Sequence, residues 1–153
     1  MAKIDISSVS ARRGTGYPPP YDAPCLERQR QALGDAGGLS QFGVNLLVLE
    51  PGVWSSQRHW HSAEDEFVWV LEGEVTLITD AGEEVLRPGD CAAFPAGKAD
   101  GHHLVNRTNA NVKVLEVGTR SVEDRCVYPD ADMIAEPGEH LYRHRDGTPY
   151  PAK

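Results

Sequence analysis

Three features are scarce in this 153-residue sequence: cysteine, long apolar runs and positive charge. The three cysteines (Cys25, Cys91 and Cys126) are odd in number and far apart, which argues against a disulfide framework and against a C-x-x-C zinc or redox motif. No stretch approaches 18 apolar residues, and the first residues contain no run typical of a signal peptide, so we predict a cytoplasmic protein that does not span a membrane. The formal net charge of −8 argues against nucleic acid or an anionic membrane surface as a partner, because both require a basic face.

Glycine and proline, in contrast, are abundant. The chain has 15 glycines and 11 prolines, 26 of 153 residues, against about 12% in average proteins. Between residues 41 and 118, short apolar segments alternate with turn signals such as Pro51-Gly52 and Pro88-Gly89. About eight short strands at roughly ten-residue spacing are typical of an antiparallel sandwich or barrel. No long segment with a 3.6-residue period interrupts them, so we predict an all-β fold with its core in residues 41–118.

The two flanking regions are polar and are expected to be irregular. Residues 1–40 form an N-terminal arm containing the segment Tyr17-Pro18-Pro19-Pro20-Tyr21, which favours extended backbone. This arm is either a loose tail or a segment that its tyrosines hold against the domain or a second subunit. Within it, residues 26–33 are compatible with two helical turns that end at Gly34. Residues 119–153 contain too few apolar residues for a second core, and we predict a C-terminal extension packed on the barrel.

Four histidines and one glutamate stand in two clusters on the predicted strands. His59 and His61 are two residues apart, so on a strand their side chains point to the same face, and Glu66 opens the next strand. Two imidazoles in this arrangement are able to approach one ion, with the carboxylate beside them. The second cluster is His102-His103, of which alternation allows only one to face the interior.

Glycine, proline and asparagine residues frame both clusters at fixed spacings. The first stretch reads Gly52, His59-x-His61-x₄-Glu66-x₆-Gly73, and the second reads Gly89-x₅-Pro95-x-Gly97-x₄-His102-x₃-Asn106. This pattern resembles the cupin superfamily, whose motifs are G-x₅-H-x-H-x₃₋₄-E-x₆-G and G-x₅-P-x-G-x₂-H-x₃-N. One extra residue precedes His59 and two extra residues precede His102. Both departures fall in loops and leave the candidate ligands in phase with their strands.

The resemblance implies a double-stranded β-helix jelly-roll barrel, usually dimeric, with one divalent transition metal held by three histidines and a glutamate. Position by position, the implied ligands are His59, His61, Glu66 and His102, and the H-x₃-N spacing selects His102 over His103. Imidazole and carboxylate ligands without thiolate suit several divalent metals. We favour Fe(II) or Mn, and expect that Zn or Ni occupies the site in purified protein.

Two classes of function fit this pattern. The first is a metal-dependent enzyme, such as a dioxygenase, isomerase or lyase, acting on a small polar or sugar-like molecule. Similar single-domain cupins are often labelled sugar or sugar-phosphate isomerases. The second is a non-catalytic module that binds or senses a small ligand. An enzyme also needs a general acid or base near the ion, and the sequence offers Asn45, Gln57, Arg58 and Tyr128.

Strand alternation also predicts what lies on the outer surface. If Glu66 points inward, Val68 and Val70 share its face, whereas Phe67, Trp69 and Leu71 lie on the other. Such an outward apolar row is typical of a contact between sheets or between subunits. Because the cupin resemblance also implies a dimer, we expect a homodimer that exchanges N-terminal arm or edge-strand contacts.

Overall fold

The computed structural model describes residues 3–139 and 141–152. The strands in this part of the chain are β1 (Ala11–Arg13), β2 (Gln29–Ala32), β3 (Phe42–Leu49), β4 (Trp60–His61), β5 (Glu66–Glu72), β6 (Val75–Thr79), β7 (Gly82–Leu86), β8 (Cys91–Phe94), β9 (His103–Val105), β10 (Val112–Thr119), β11 (Cys126–Tyr128), β12 (Met133–Ala135) and β13 (Tyr142–Arg143). The helical segments are one α-helix, α1 (Leu33–Ala36), and two 3₁₀ turns (Ile6–Ser8 and Ala23–Cys25). None of the helices in the described residues is long and apolar enough to span a bilayer.

The strands form three antiparallel sheets. The largest has the order β1-β2-β3-β10-β5-β8, and the others have the orders β13-β12-β11-β4 and β7-β6-β9. Apolar side chains of the six-stranded and three-stranded sheets pack into one core, which includes Leu47 of β3, Val70 of β5, Leu77 of β6 and Val114 of β10. The all-β prediction is confirmed, with two sheets closing over a shared interior as a jelly roll requires.

Strand β5 shows the alternation that the sequence predicts. Val68 and Val70 are buried, whereas Phe67, Trp69 and Leu71 are exposed on the outer face. Gly73 follows the strand with a φ of +79°, and a Cβ there would lie 2.8 Å from the carbonyl oxygen of Asn111. The turn therefore requires glycine both for its left-handed backbone and for the close approach of a neighbouring chain segment.

The N-terminal arm, expected to be irregular, contributes β1 and β2 to the largest sheet. The helix predicted over residues 26–33 is wrong, because residues 29–32 pair as β2 along the edge of β3 and only residues 33–36 are helical. Paired backbone along an existing edge outweighs the weak helical preference of a segment this short. Tyr17 of the arm is buried against Tyr128 and Tyr142 of the same chain, so the tyrosines hold the arm on its own domain.

The C-terminal residues also join the barrel through a sheet. Strand β11 pairs with β4, placing Cys126 opposite His61 and Val127 opposite Trp60. On its other side β11 pairs with β12, and β12 with β13. This sheet packs beside a second apolar cluster that includes Tyr17, Tyr128 and Met133. The segment that carries His61 is therefore held in place by residues some 65 positions later in the chain.

Candidate metal centre

Four side chains converge at one point inside the barrel. The Oε2 atom of Glu66 lies 2.8 Å from Nε2 of His102, 3.4 Å from Nε2 of His59 and 3.6 Å from Nε2 of His61. The donor atoms of His59, Glu66 and His102 all lie within 4.8 Å of one another, the spacing expected of groups able to hold one ion. The structure thus brings together all four residues that the sequence motifs indicated.

The strand framework explains this convergence. Glu66 is the first residue of β5, and His61 is the last residue of β4. His59 and His102 face each other in an antiparallel bridge, with backbone N–H···O distances of 3.1 and 2.9 Å. Their rings lie 4.9 Å apart, and the ring of His61 lies 5.1 Å from that of His59. Backbone pairing therefore fixes the relative positions of the imidazoles.

The second ring nitrogen of each histidine contacts an oxygen acceptor. Carbonyl and carboxylate oxygens only accept, so each Nδ1 carries a proton and each Nε2 faces the centre. The acceptors are the Gln57 carbonyl at 2.9 Å from His59, the Asp124 carboxylate at 2.6 Å from His61 and the Asp100 carbonyl at 3.3 Å from His102. Outer partners of this kind fix the tautomer and ring orientation of metal-binding histidines.

The charge state of Glu66 suits a metal ligand. Burial alone would raise the pKa of Glu66, but the hydrogen bonds from His102 and His59 and the attraction of His59 and His61 together outweigh burial and hold the pKa well below its usual range. Glu66 is therefore an acceptor-only carboxylate at neutral pH. A bound ion would take the place of the Nε2 protons that face it, because ligating imidazoles are neutral. By the chemistry of its donors, the cluster fits a divalent metal.

Two further groups of metal-binding residue types share members with this centre. One adds Cys126 to His59 and His61, and the other joins Glu64 and Asp124 to His61. Burial raises the pKa of the Cys126 thiol, so the sulfur is protonated at neutral pH and is a poor ligand in that form. Burial also raises the pKa of Glu64, whose carboxylate accepts a hydrogen bond from the Ser121 backbone at 2.7 Å.

His103 points elsewhere. Its Nδ1 atom lies 2.9 Å from the Ser56 carbonyl oxygen, and its ring packs edge-on against Trp54 at 4.6 Å. Within the described residues, His103 belongs to none of the groups that could hold a metal. Burial lowers the pKa of His103, which favours a neutral ring held in the protein interior.

A cavity of about 560 Å³ opens onto the centre, a volume in the range of small-molecule sites. Of the proposed acid–base candidates, Asn45 and Tyr128 line this cavity. Gln57 and Arg58 do not, because Gln57 donates to the Tyr21 carbonyl at 2.7 Å and Arg58 pairs with Asp130 at 2.6 Å.

Several cavity residues escaped the sequence reasoning. Glu64 stands in the variable spacer between His61 and Glu66, and Asp124 stands in the polar C-terminal region, where no motif marks it. Arg28 and Arg30 could have been predicted to lie on the same side, because residues two apart in extended backbone face the same way. We interpreted that segment as helical, and a helix does not place them together.

The family of the chain follows from this fold and from sequence comparison. The cupin domain family matches residues 45–118. A sugar phosphate isomerase of the cupin superfamily from Silicibacter pomeroyi is 48% identical over 99% of this chain and 98% of its own, with a TM-score of 0.92. This chain belongs to the cupin superfamily.

Two further solved structures share less of the sequence. A protein from Acidithiobacillus ferrooxidans, whose proposed activity is also sugar phosphate isomerisation, is 30% identical over 83% of this cupin and 82% of its own chain, with a TM-score of 0.72. A polyketide cyclase from Streptomyces resistomycificus is 23% identical over 78% of this cupin and 79% of its own chain, with a TM-score of 0.60, and shares the fold alone. No curated protein matches the chain.

Proposed function

We propose that this cupin is a metal-dependent isomerase of a sugar phosphate, with one divalent ion held by His59, His61, Glu66 and His102. The observation that carries the proposal is the convergence of three imidazole Nε2 atoms on one carboxylate oxygen at 2.8 to 3.6 Å. The reaction class is supported by the relative from Silicibacter pomeroyi, which is named a sugar phosphate isomerase and is 48% identical over nearly the whole chain.

Three imidazoles and one carboxylate suit Fe(II) or Mn, and Zn or Ni would compete for the site during purification. When bound, such an ion supplies a Lewis acid that polarises a substrate oxygen. The protein would fix its coordination through the oxygen acceptors that hold each Nδ1 atom.

The residues of the cavity would do the remaining work. An aldose–ketose isomerisation moves one proton from a carbon to its neighbour and one proton between the two oxygens. Glu64 offers a carboxylate on the cavity wall beside His61, positioned to take and return the carbon-bound proton. Tyr128 stacks on His59 and Asn45 lies on β3, where their polar groups would orient the sugar hydroxyls.

A deuterium exchange experiment tests the reaction. The full chain, loaded anaerobically with Fe(II) or with Mn, is incubated in D₂O with glucose 6-phosphate, mannose 6-phosphate or ribose 5-phosphate and followed by ¹H and ³¹P NMR. We expect conversion of one aldose phosphate to its ketose with deuterium at the exchanging carbon, and no conversion by the His59→Ala/His102→Ala variant.

Two other results would contradict the isomerase proposal. Binding of the sugar phosphates without turnover would favour the alternative of a non-catalytic binding or sensing module. Oxygen uptake by the Fe(II) form, measured with an electrode, would favour a dioxygenase.

We further propose that this cupin acts as a homodimer in the cytoplasm. Phe67, Trp69 and Leu71 form an exposed apolar row on β5, which a second copy would cover. All three cysteines are free, as expected in a reducing compartment. Light scattering coupled to size exclusion would give twice the chain mass, and a Trp69→Lys variant would shift this value toward that of the monomer.

A further inference from the structure

Two arginines of the N-terminal arm meet on one wall of the cavity. Arg28 and Arg30 both donate to the carbonyl oxygen of Ser55, Arg30 at 3.2 Å. The next residue, Ser56, has its hydroxyl 3.3 Å from Nδ1 of His59. The two guanidinium groups therefore lie together close to the candidate metal centre, and both line the cavity.

The strand register explains why Arg30 faces inward. Arg30 of β2 stands opposite Leu47 of β3, a fully buried core residue. Glu116 of β10 stands opposite Asn45 of β3 and Val68 of β5. Directly opposed residues share a face of the sheet, so these polar side chains lie on its inner face with the core.

The two guanidinium groups are not equally neutralised. Arg30 makes a two-point ion pair with Glu116 at 2.7 and 2.8 Å. Arg28 donates only to uncharged oxygens, including the Gly14 carbonyl at 3.0 Å and the Thr15 hydroxyl at 3.1 Å, and no carboxylate of the described chain forms an ion pair with it. The Arg28 guanidinium, which also lies over the Tyr17 ring at 5.5 Å, therefore has no ion-pair partner among the described residues.

This charge lies where water screens it poorly. Burial and the neighbouring charge of Arg30 lower the pKa of Arg28, which means that its charged form is disfavoured there. An anion bound beside Arg28 would favour its charged form and so offset both effects. Arg120, a third arginine of the cavity wall, is already paired with Asp35.

The two groups also retain free hydrogen-bond donors. A guanidinium has five N–H donors, and each of these two uses three of them in contacts with described residues. Two N–H groups on each remain for a ligand. Planar guanidinium groups match the spacing of the oxygens in phosphate and carboxylate.

We propose that Arg28 and Arg30 form an oxyanion subsite that binds the phosphate or carboxylate group of the substrate. The subsite depends on the proposed function in one respect: the molecule whose anionic group binds here is the same one whose sugar end reaches the metal centre. Arg28 supplies a positive charge that no ion pair occupies, and Arg30 supplies N–H donors held in place by Glu116.

Anion titrations test the subsite without requiring turnover. Inorganic phosphate and acetate are titrated into full-length protein of measured metal content, for wild type, Arg28→Gln, Arg28→Lys and Arg107→Gln. Arg107 is a matched control, because it is an exposed arginine paired with Glu83 outside the cavity. In parallel, the arginine Nε–H signals of ¹⁵N-labelled wild-type protein are followed during the phosphate titration.

We expect Arg28→Gln to weaken anion binding about 10- to 100-fold, the loss of a charge-assisted hydrogen bond, with unchanged metal content. Arg28→Lys should recover part of the affinity, and Arg107→Gln should match wild type. The Nε–H signals of Arg28 and Arg30 should shift with phosphate while that of Arg107 stays, a result that requires no variant to fold. Tighter binding of phosphate than of acetate, beyond the ratio that the Arg28→Gln variant retains, would favour a phosphate ester as the ligand, and the reverse would favour a sugar acid.

Equal anion affinity in wild type and Arg28→Gln, with unmoved Arg28 and Arg30 signals, would overturn the subsite. Anion binding that Arg28→Gln retains but His59→Ala/His102→Ala loses would likewise overturn it, by assigning the anion to the metal centre. Phosphate binding at Arg28 without isomerase turnover would contradict the proposed function alone.

Discussion

At the scale of single residues, the candidate centre depends on both nitrogens of each imidazole. The Nε2 atoms face Glu66, while Nδ1 of His61 is held at 2.6 Å by Asp124. Asp124 lies outside residues 45–118, the range matched by the cupin family. A carboxylate in this position fixes the orientation of the His61 ring and makes its Nε2 atom a stronger metal ligand.

Replacing Asp124 with asparagine should therefore weaken metal binding about 10- to 100-fold, because the outer partner of His61 loses its charge. Competition with a chromogenic chelator measures this affinity. The matched control is Asp132→Asn, which alters a similar pair with His144 at 2.7 Å on the surface. An equal loss of affinity in both variants, or in neither, would contradict the role of Asp124.

The four candidate ligands were predictable because the spacings of residues 52–73 and 89–106 resemble the two cupin motifs, which imply the ligand set. Strand alternation by itself placed His59 and His61 on one face but left the choice between His102 and His103 open.

Strand alternation also explains the position of Arg58. This residue is next to His59, points away from the centre and pairs with Asp80 and Asp130. Among the acid–base candidates that the sequence offered, Arg58 therefore lies outside the residues that line the cavity. Asp124 was not predictable, since its contact with His61 depends on chain segments 63 residues apart.

At the scale of elements, the arm and the C-terminal sheet join through aromatic packing. Tyr17 of the arm contacts Tyr128 at a ring distance of 5.5 Å and Tyr142 at 5.4 Å. Tyr128 in turn stacks on His59 at 5.8 Å. The arm therefore contributes both to the stability of the fold and to the wall behind the candidate centre.

The Tyr17→Ala variant should lower the free energy of unfolding by about 3–5 kcal/mol, the usual cost of removing a buried aromatic ring. Urea denaturation followed by fluorescence measures the change. Val122→Ala is the control, because Val122 is 86% exposed and its truncation should change stability by less than about 0.5 kcal/mol. A similar small effect of Tyr17→Ala would show that the arm is held by other contacts.

The core strands were predictable at this scale, whereas strand β2 was not. Turn signals and apolar alternation mark β3 to β10 within the sequence. The segment Gln29–Ala32 lacks such a pattern, and its extended form results from pairing with β3. Tertiary pairing of this kind overrides local preference in short polar segments.

At the scale of the whole molecule, surface ion pairs couple stability to pH. Hydrogen bonds from Arg107 and Arg143 lower the pKa values of Glu83 and Glu139 below the ordinary 4.5. At these two glutamates the unfolded chain therefore binds more protons than the folded chain at acid pH. The contribution of these pairs is complete above about pH 4.5 and is lost as the pH falls below that value.

The Glu83→Gln/Glu139→Gln variant isolates this effect. Its urea midpoint should fall below that of wild type at pH 7, and the difference should shrink as the pH is lowered from 4.5 to 3. The measurement belongs at low ionic strength, because salt screens exposed pairs. A difference that does not change with pH would show that the glutamates act through contacts other than charge.

The central claim is that His59, His61, Glu66 and His102 bind one metal ion. Metal analysis by ICP-MS on untagged protein purified without chelator tests it most directly, for wild type, His59→Ala/His102→Ala and the control His103→Ala. We predict about one equivalent in wild type and His103→Ala and none in the double variant, because His103 faces Ser56 rather than the centre. Wild-type protein without metal even after reconstitution, or equal metal content in all three proteins, would contradict the account.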